Sequence, residues 1–188
     1  CMTMAPVGIR CPEHSGRHQG VDRVTEGVRR AAYEGVGAKV TRALIGVNVL
    51  VYVAELAQGS GVDATKGSIY QNGALLANGV KVGDTLAGLP AHVPFPNLVG
   101  VAHGEWWRLI TAAFLHYGPI HIAVNMFSLW MMGRALEPVF GKVRYLTLYF
   151  VSMLGASTAV LLFDNLDGGT AGASGALFGL MGAYAVIV

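Results

Sequence analysis

Ser174 stands in Gly172-Ala173-Ser174-Gly175, at the opening of an apolar run that continues through Gly179 and Gly182. A serine hydroxyl becomes a nucleophile once a base takes its proton, and a serine in the first turn of a helix also offers its backbone amide to a developing anion. The element is not the Gly-x-Ser-x-Gly elbow of soluble hydrolases, because Ala176 occupies the last glycine position and no strand precedes it. Gly175 and Gly179 form a small-xxx-small pair that lets another helix approach closely. Taken alone, the element fits helix packing as well as nucleophilic chemistry.

A second group of polar residues lies in His116-Tyr-Gly-Pro-Ile-His121-Ile-Ala-Val-Asn125. His121 and Asn125 fall inside an apolar segment, where polar groups are costly and so are candidates for function. Four residues apart on a helix, imidazole and carboxamide stack on one face and can address a common point. The same pair could equally hold two helices together by interhelical hydrogen bonds, worth on the order of 0.6 kcal/mol each.

The elements that must carry these residues are hydrophobic. Only 13% of the 188 residues are charged, 26 are glycine and the mean hydropathy is +0.50. Soluble domains carry roughly 25% charged residues, so the chain reads as an all-α, polytopic membrane protein. Four apolar segments are expected: Val40–Ala57, Pro119–Val139, Tyr145–Phe163, and a fourth opening at Ser174 and still apolar at Val188. The proline suits a first helical turn, where its missing amide hydrogen is not needed.

Seven of the thirteen basic residues (Arg10, Arg17, Arg23, Arg29, Arg30, Lys39 and Arg42) precede or open the first segment, and Arg134, Lys142 and Arg144 flank the second and third. The excess predicts a cytoplasmic N-terminus, with Ser174 near the opposite surface. No cleavable leader is expected, because the first apolar segment lies far in and lacks a small-residue cleavage pattern. The roughly 60-residue connection between the first two segments exceeds an ordinary loop and is expected to be partly structured. Its Trp106-Trp107-Arg108 suits a membrane interface.

Residues 1–38 read as a basic tail and residues 39–188 as the membrane domain. In the tail, Cys11 and His14, with His18, have metal-ligand chemistry but are too few to close a four-ligand zinc site; the tail reads either as the remnant of a Cys-rich zinc knuckle or as an ordinary flexible segment. No interleaved basic and aromatic pattern of the kind that binds nucleic acid is present.

Together, the His116-x4-His121-x3-Asn125 element, the Gly172-x-Ser174-Gly175 element on a later segment, and Trp107-Arg108 in the first long connection resemble, in this order, the rhomboid family of intramembrane serine proteases. The resemblance covers Val40 to Val188. It implies a rhomboid-like helical bundle of which four of six or more spans are present, in a bacterial cell membrane. Ser174 would be the nucleophile, with the oxyanion held by its amide and by His121 and Asn125. His116 would support the loop, Gly172 would keep it tight, and Gly175 would admit a neighbouring helix. Arg108 and Glu137 would be scaffold. No cofactor or metal is implied; the partners would be transmembrane protein substrates and the lipid bilayer. The family's catalytic histidine lies on a sixth span, so residues 1–188 alone are expected to be inactive. The alternatives are an inactive rhomboid-like protein that binds membrane clients, and a small transporter in which His121 and Asn125 line a polar path.

Overall fold

The computed structural model describes residues 3–5, 8–10, 38–58, 65–83, 85–89, 98–163 and 169–187. The candidate metal ligands Cys11, His14 and His18, and most of the basic tail, lie outside the described residues.

Helix α1 spans Lys39–Ala57. Its buried residues are Thr41, Leu44, Asn48, Tyr52 and Glu55, one stripe at helical spacing. Three of these are polar and none is exposed at all, whereas Leu50 and Val53 on the other side are 70% and 55% exposed. Polar residues turned inward with apolar residues outward is the arrangement a bilayer demands, since hydrocarbon offers polar groups no partners.

Short elements follow: α2 at Ser68–Gly73, α3 at Arg108–Thr111, and 3-10 turns at Val101–His103 and Ala112–Phe114. Strands are present as well, so the fold is not purely helical. β1 (Thr3–Ala5) and β2 (Gly8–Arg10) form a hairpin. In the long connection, β3 (Gly79–Val82) pairs antiparallel with both β4 (Thr85–Gly88) and β5 (Leu98–Val99). The segment Gly-Val-Lys-Val-Gly-Asp-Thr-Leu has the alternation and the central glycine of a hairpin, with Gly83 at φ +58.

Helix α4 runs from Pro119 to Phe163, interrupted at Gly141, whose φ of 75 and ψ of 163 are not helical. Unbroken, 45 residues would extend about 68 Å, twice the hydrocarbon core of a bilayer. The two arms instead fold back on each other. At one level His121, early in the first arm, contacts Gly172, while Ala156, late in the second, contacts Gly175. At the opposite level Glu137 and Tyr145, on either side of the break, both reach Thr41. The sequence expectation of separate segments therefore holds in outline, but the turn is a single glycine, and the second arm starts at residue 142, three residues earlier than Tyr145.

Helix α5, Ser174–Ile187, packs against the second arm, where Gly175 and Gly179 admit Ala156 and Ser152 so closely that a methyl group at either glycine would collide. Leu129, Leu136, Tyr145, Tyr149, Met153, Ala176 and Leu180 fill the core between the helices. By length and composition α1 and α4 could each cross a membrane, and α5 is a shorter apolar helix.

Glu137 joins the first two helices. Its carboxylate accepts from the Val40 amide (2.9 Å), the Thr41 amide (2.9 Å) and the Thr41 hydroxyl (2.8 Å). Ala38, at the N-cap of α1, has no side chain to do this. An acidic group from α4 thus caps α1, satisfying amides that the helix leaves open and matching its positive end.

Candidate active site

Ser174 is the first residue of α5 and is exposed, with its hydroxyl beside the Gly172 turn. Gly172 adopts φ +130, a region that L side chains rarely enter. A methyl group there would lie 2.7 Å from His121 Cε1, 2.9 Å from His121 Nε2 and 3.7 Å from Ser174 Oγ. The imidazole edge and the serine hydroxyl therefore flank the same glycine, although they come from helices more than fifty residues apart in sequence.

The tautomer of His121 follows from its neighbours. The Tyr117 amide donates to His121 Nδ1 at 3.2 Å, so the proton resides on Nε2, the nitrogen that faces Gly172. His121 is thus a hydrogen-bond donor on its Gly172 side. One turn later Asn125 is 3% exposed, and its amide nitrogen finds no partner among the described residues. A buried unpaired donor is costly unless something else occupies it during function. His121 Nε2 and Asn125 Nδ2 are two donors on one helix face, suited to a developing oxyanion.

His116 is fully buried behind His121, with ring centroids 5.2 Å apart. Burial pushes its pKa down to about 4, the adjacent His121 adds to this, and the Phe114 carbonyl opposes it. It is a neutral packing element at physiological pH. Its backbone amide lies 3.4 Å from the Glu55 carboxylate of α1.

The loop before Ser174 is held along its length. Leu75 and Thr170 exchange two 2.8 Å backbone bonds, and the Gly172 amide donates to the Ala112 carbonyl at 2.8 Å. The hydroxyls of Tyr70 and Tyr117 donate to Gly169 O at 2.7 and 3.1 Å, and the Ala171 amide donates to Tyr117 Oη at 2.7 Å. Burial, with Tyr117 and Glu55 nearby, raises the Tyr70 pKa, which keeps it a neutral donor.

Arg108 is wholly buried and is fully used as scaffold. Its guanidinium binds Glu105 at 2.7 Å, Ala74 O at 2.7 Å and Gln71 O at 2.8 Å. Glu105 also accepts from the Gly100 amide at 2.6 Å; burial favours its neutral form, but Arg108 and this amide outweigh that and lower its pKa. Trp106 and Trp107 beside it are 64% and 50% exposed.

A cavity of about 330 Å³ opens beside Ser174, walled by Leu75, Ala156, Val160, Thr170 and Phe178 among others. Its lining is mostly apolar, suited to an extended apolar segment. Among the described residues no cluster of three or more metal-ligating side chains occurs.

All the expected site residues except the tail's Cys11 and His14 are described: Ser174, His121 and Gly172 converge, Asn125 and His116 flank His121, and Gly175 serves the helix contact. Sequence reasoning missed Tyr117, Tyr70 and Glu105. Tyr117 stood inside the histidine element without being weighed, and Glu105 is three residues before Arg108, an acid–base spacing that signals pairing within one helical turn.

Residues 103–188 match the rhomboid domain, a span that contains His116, His121, Asn125, Gly172 and Ser174. The chain is 43% identical over 90 residues to the putative rhomboid protease YdcA of Bacillus subtilis (strain 168), covering 48% of this chain and 45% of that protein. It is 43% identical over 83 residues to rhomboid protease GluP of the same organism, covering 44% of this chain and 16% of the relative. It is 48% identical over 84 residues to RHOMBOID-like protein 5 of Arabidopsis thaliana, covering 44% and 27% respectively. The matched parts span less than half the length of these relatives. No solved structure matches the chain. With its inward-turned polar residues and outward apolar helices, the chain is a membrane protein whose residues 103–188 are similar to the rhomboid domain.

Proposed function

We propose that the protein is an intramembrane serine endopeptidase in which Ser174 attacks a peptide carbonyl within the transmembrane segment of a membrane-protein substrate. The observation that carries this reading is the convergence on one glycine turn of the Ser174 hydroxyl and a His121 Nε2 donor, with the unpaired Asn125 amide one helical turn away. Attack at the carbonyl carbon would form a tetrahedral oxyanion, stabilised by the Ser174 amide, His121 Nε2–H and Asn125 Nδ2–H; its collapse would break the peptide C–N bond, releasing the amine with the proton taken from Ser174 and leaving the Ser174 ester. Water would then hydrolyse the acyl-enzyme.

The proton on Ser174 needs a base. Among the described histidines, His103 Nε2 lies 2.6 Å from Asn78 Oδ1, His116 is buried and His121 is a donor. None of these three is free to take that role, so we infer that the base comes from outside the described residues. The same observation is what favours the second reading, a catalytically inactive relative that binds membrane clients.

In this reading α1, the two arms of α4, and α5 are four spans. The basic tail and Lys142 and Arg144 at the break face the cytoplasm of a bacterial cell, and Ser174 lies toward the outer surface, within reach of water. Exposed Trp106 and Trp107 would rest among lipid headgroups. Asn125→Ala in the full-length protein is expected to slow turnover by about a hundredfold, the usual cost of one oxyanion donor. Turnover unchanged in that variant overturns the oxyanion assignment.

A further inference from the structure

We propose that Tyr117 is a positioning residue that sets His121 and the Ser174 loop in register with one another. The proposal rests on the serine-protease reading and deepens it. Tyr117 contacts both halves of the site at once. On one side its ring stacks on His121, with centroids 5.2 Å apart and planes at 14°, and its backbone amide holds His121 Nδ1 at 3.2 Å. Rotation of the imidazole would break both contacts, so Nε2–H is held toward Gly172. On the other side the Tyr117 hydroxyl accepts from the Ala171 amide at 2.7 Å and donates to the Gly169 carbonyl at 3.1 Å. These bonds leave the hydroxyl both a donor and an acceptor role, and they lie three and five residues before Ser174.

Two donors aimed at an oxyanion are effective only if their spacing is fixed before the charge develops, because a site that must reorganise loses the advantage over water. His121 belongs to α4 and the Ser174 amide to α5; the Tyr117 ring stacks on the first, and its hydroxyl binds the loop that leads into the second. Tyr70 also donates to Gly169 at 2.7 Å, whereas the bond from the Ala171 amide goes to Tyr117. It anchors the start of the loop and leaves the segment nearest the serine to Tyr117.

The test uses the full-length protein, with a fluorophosphonate as probe, comparing wild type with Tyr117→Phe, Tyr117→Leu, Tyr70→Phe and Ser174→Ala. Tyr117→Phe keeps the ring stack and removes only the hydroxyl bridge. It is expected to lower the maximal labelling rate about tenfold, the scale of one or two net hydrogen bonds, with an unchanged half-saturating probe concentration and a fall in melting temperature no greater than that of Tyr70→Phe. Hydrogen exchange of the Ala171 amide is expected to accelerate in the same variant. Tyr117→Leu, which also loses the stack, should fall further, and Tyr70→Phe less than Tyr117→Phe. Labelling of Tyr117→Phe at the wild-type rate overturns the proposal while leaving Ser174 as nucleophile. An equal slowing in Tyr70→Phe at the same fall in melting temperature also overturns it, since Tyr117 would then be a general prop. Wild type labelled no faster than Ser174→Ala overturns both the proposal and the protease reading.

Discussion

At Gly172 the chain turns through φ +130 within van der Waals reach of His121 and Ser174, so this glycine sets how closely His121 and the proposed nucleophile can approach. Gly172→Ala would bring a strained backbone, costing roughly 1–3 kcal/mol, and a methyl group 2.7 Å from His121 Cε1. The imidazole would have to swing away from the Ser174 loop. Turnover is expected to fall at least a hundredfold, about one oxyanion donor's share, and an active Gly172→Ala protein would show that the contact has no catalytic weight. The spacing of His121 and Asn125 was readable in the sequence because helical periodicity places residues four apart on one face. Tyr117 was not, because its role depends on a hydroxyl reaching Gly169 and Ala171, more than fifty positions away, and on a stack that periodicity does not encode. The same holds for the protonation state of His121, which follows from one backbone amide.

The helices were largely legible as elements, since long apolar runs bounded by basic residues signal spans whatever the tertiary arrangement. Their joints were less so. The turn between the arms of α4 falls at Gly141, inside the gap expected between Val139 and Tyr145, but nothing in Val-Phe-Gly-Lys-Val shows that a single glycine makes it. The strands β3, β4 and β5 were also not anticipated, because a short half-exposed sheet in a long connection carries only a weak alternation signal. Glu137 shows how the elements are tied: a polar residue near the end of the first arm caps a different helix, and Gly133 lets Thr41 approach closely enough for the bond. Glu137→Ala would leave the Val40 and Thr41 amides without their partner. A loss of about 2–4 kcal/mol is expected, from two orphaned buried donors, read as a lower midpoint in detergent unfolding. A midpoint equal to wild type would mean that water or another group already serves these amides. The small-residue contact of α5 with the second arm was foreseen from Gly175 and Gly179, and Ala156 and Ser152 are its partners.

For the whole molecule, the direction of burial is the most informative feature. Asn48, Glu55, Glu137, Arg108 and His116 are turned inward, while Leu50, Ile120, Phe163 and Val186 face outward. A water-soluble fold reverses this, which is why composition alone could indicate a membrane protein but not which faces meet lipid. Alternating helix directions put the α1 N-terminus and the Gly141 break at one end, and His116, His121, Gly172 and Ser174 at the other. The long connection, through Arg108 and the Leu75–Thr170 pairing, closes over the second end. Its tyrosines and backbone brace the Ser174 loop, so the first long loop is structural support for the site and not a spacer. The central claim is that Ser174 is an activated nucleophile. The most direct measurement is fluorophosphonate labelling of the full-length protein in detergent, with the modified residue mapped by mass spectrometry and Ser174→Ala alongside. Modification at Ser174 that is absent from the alanine variant is the result expected here. A folded full-length protein that takes up no label, or takes it up at another residue, would contradict the assignment.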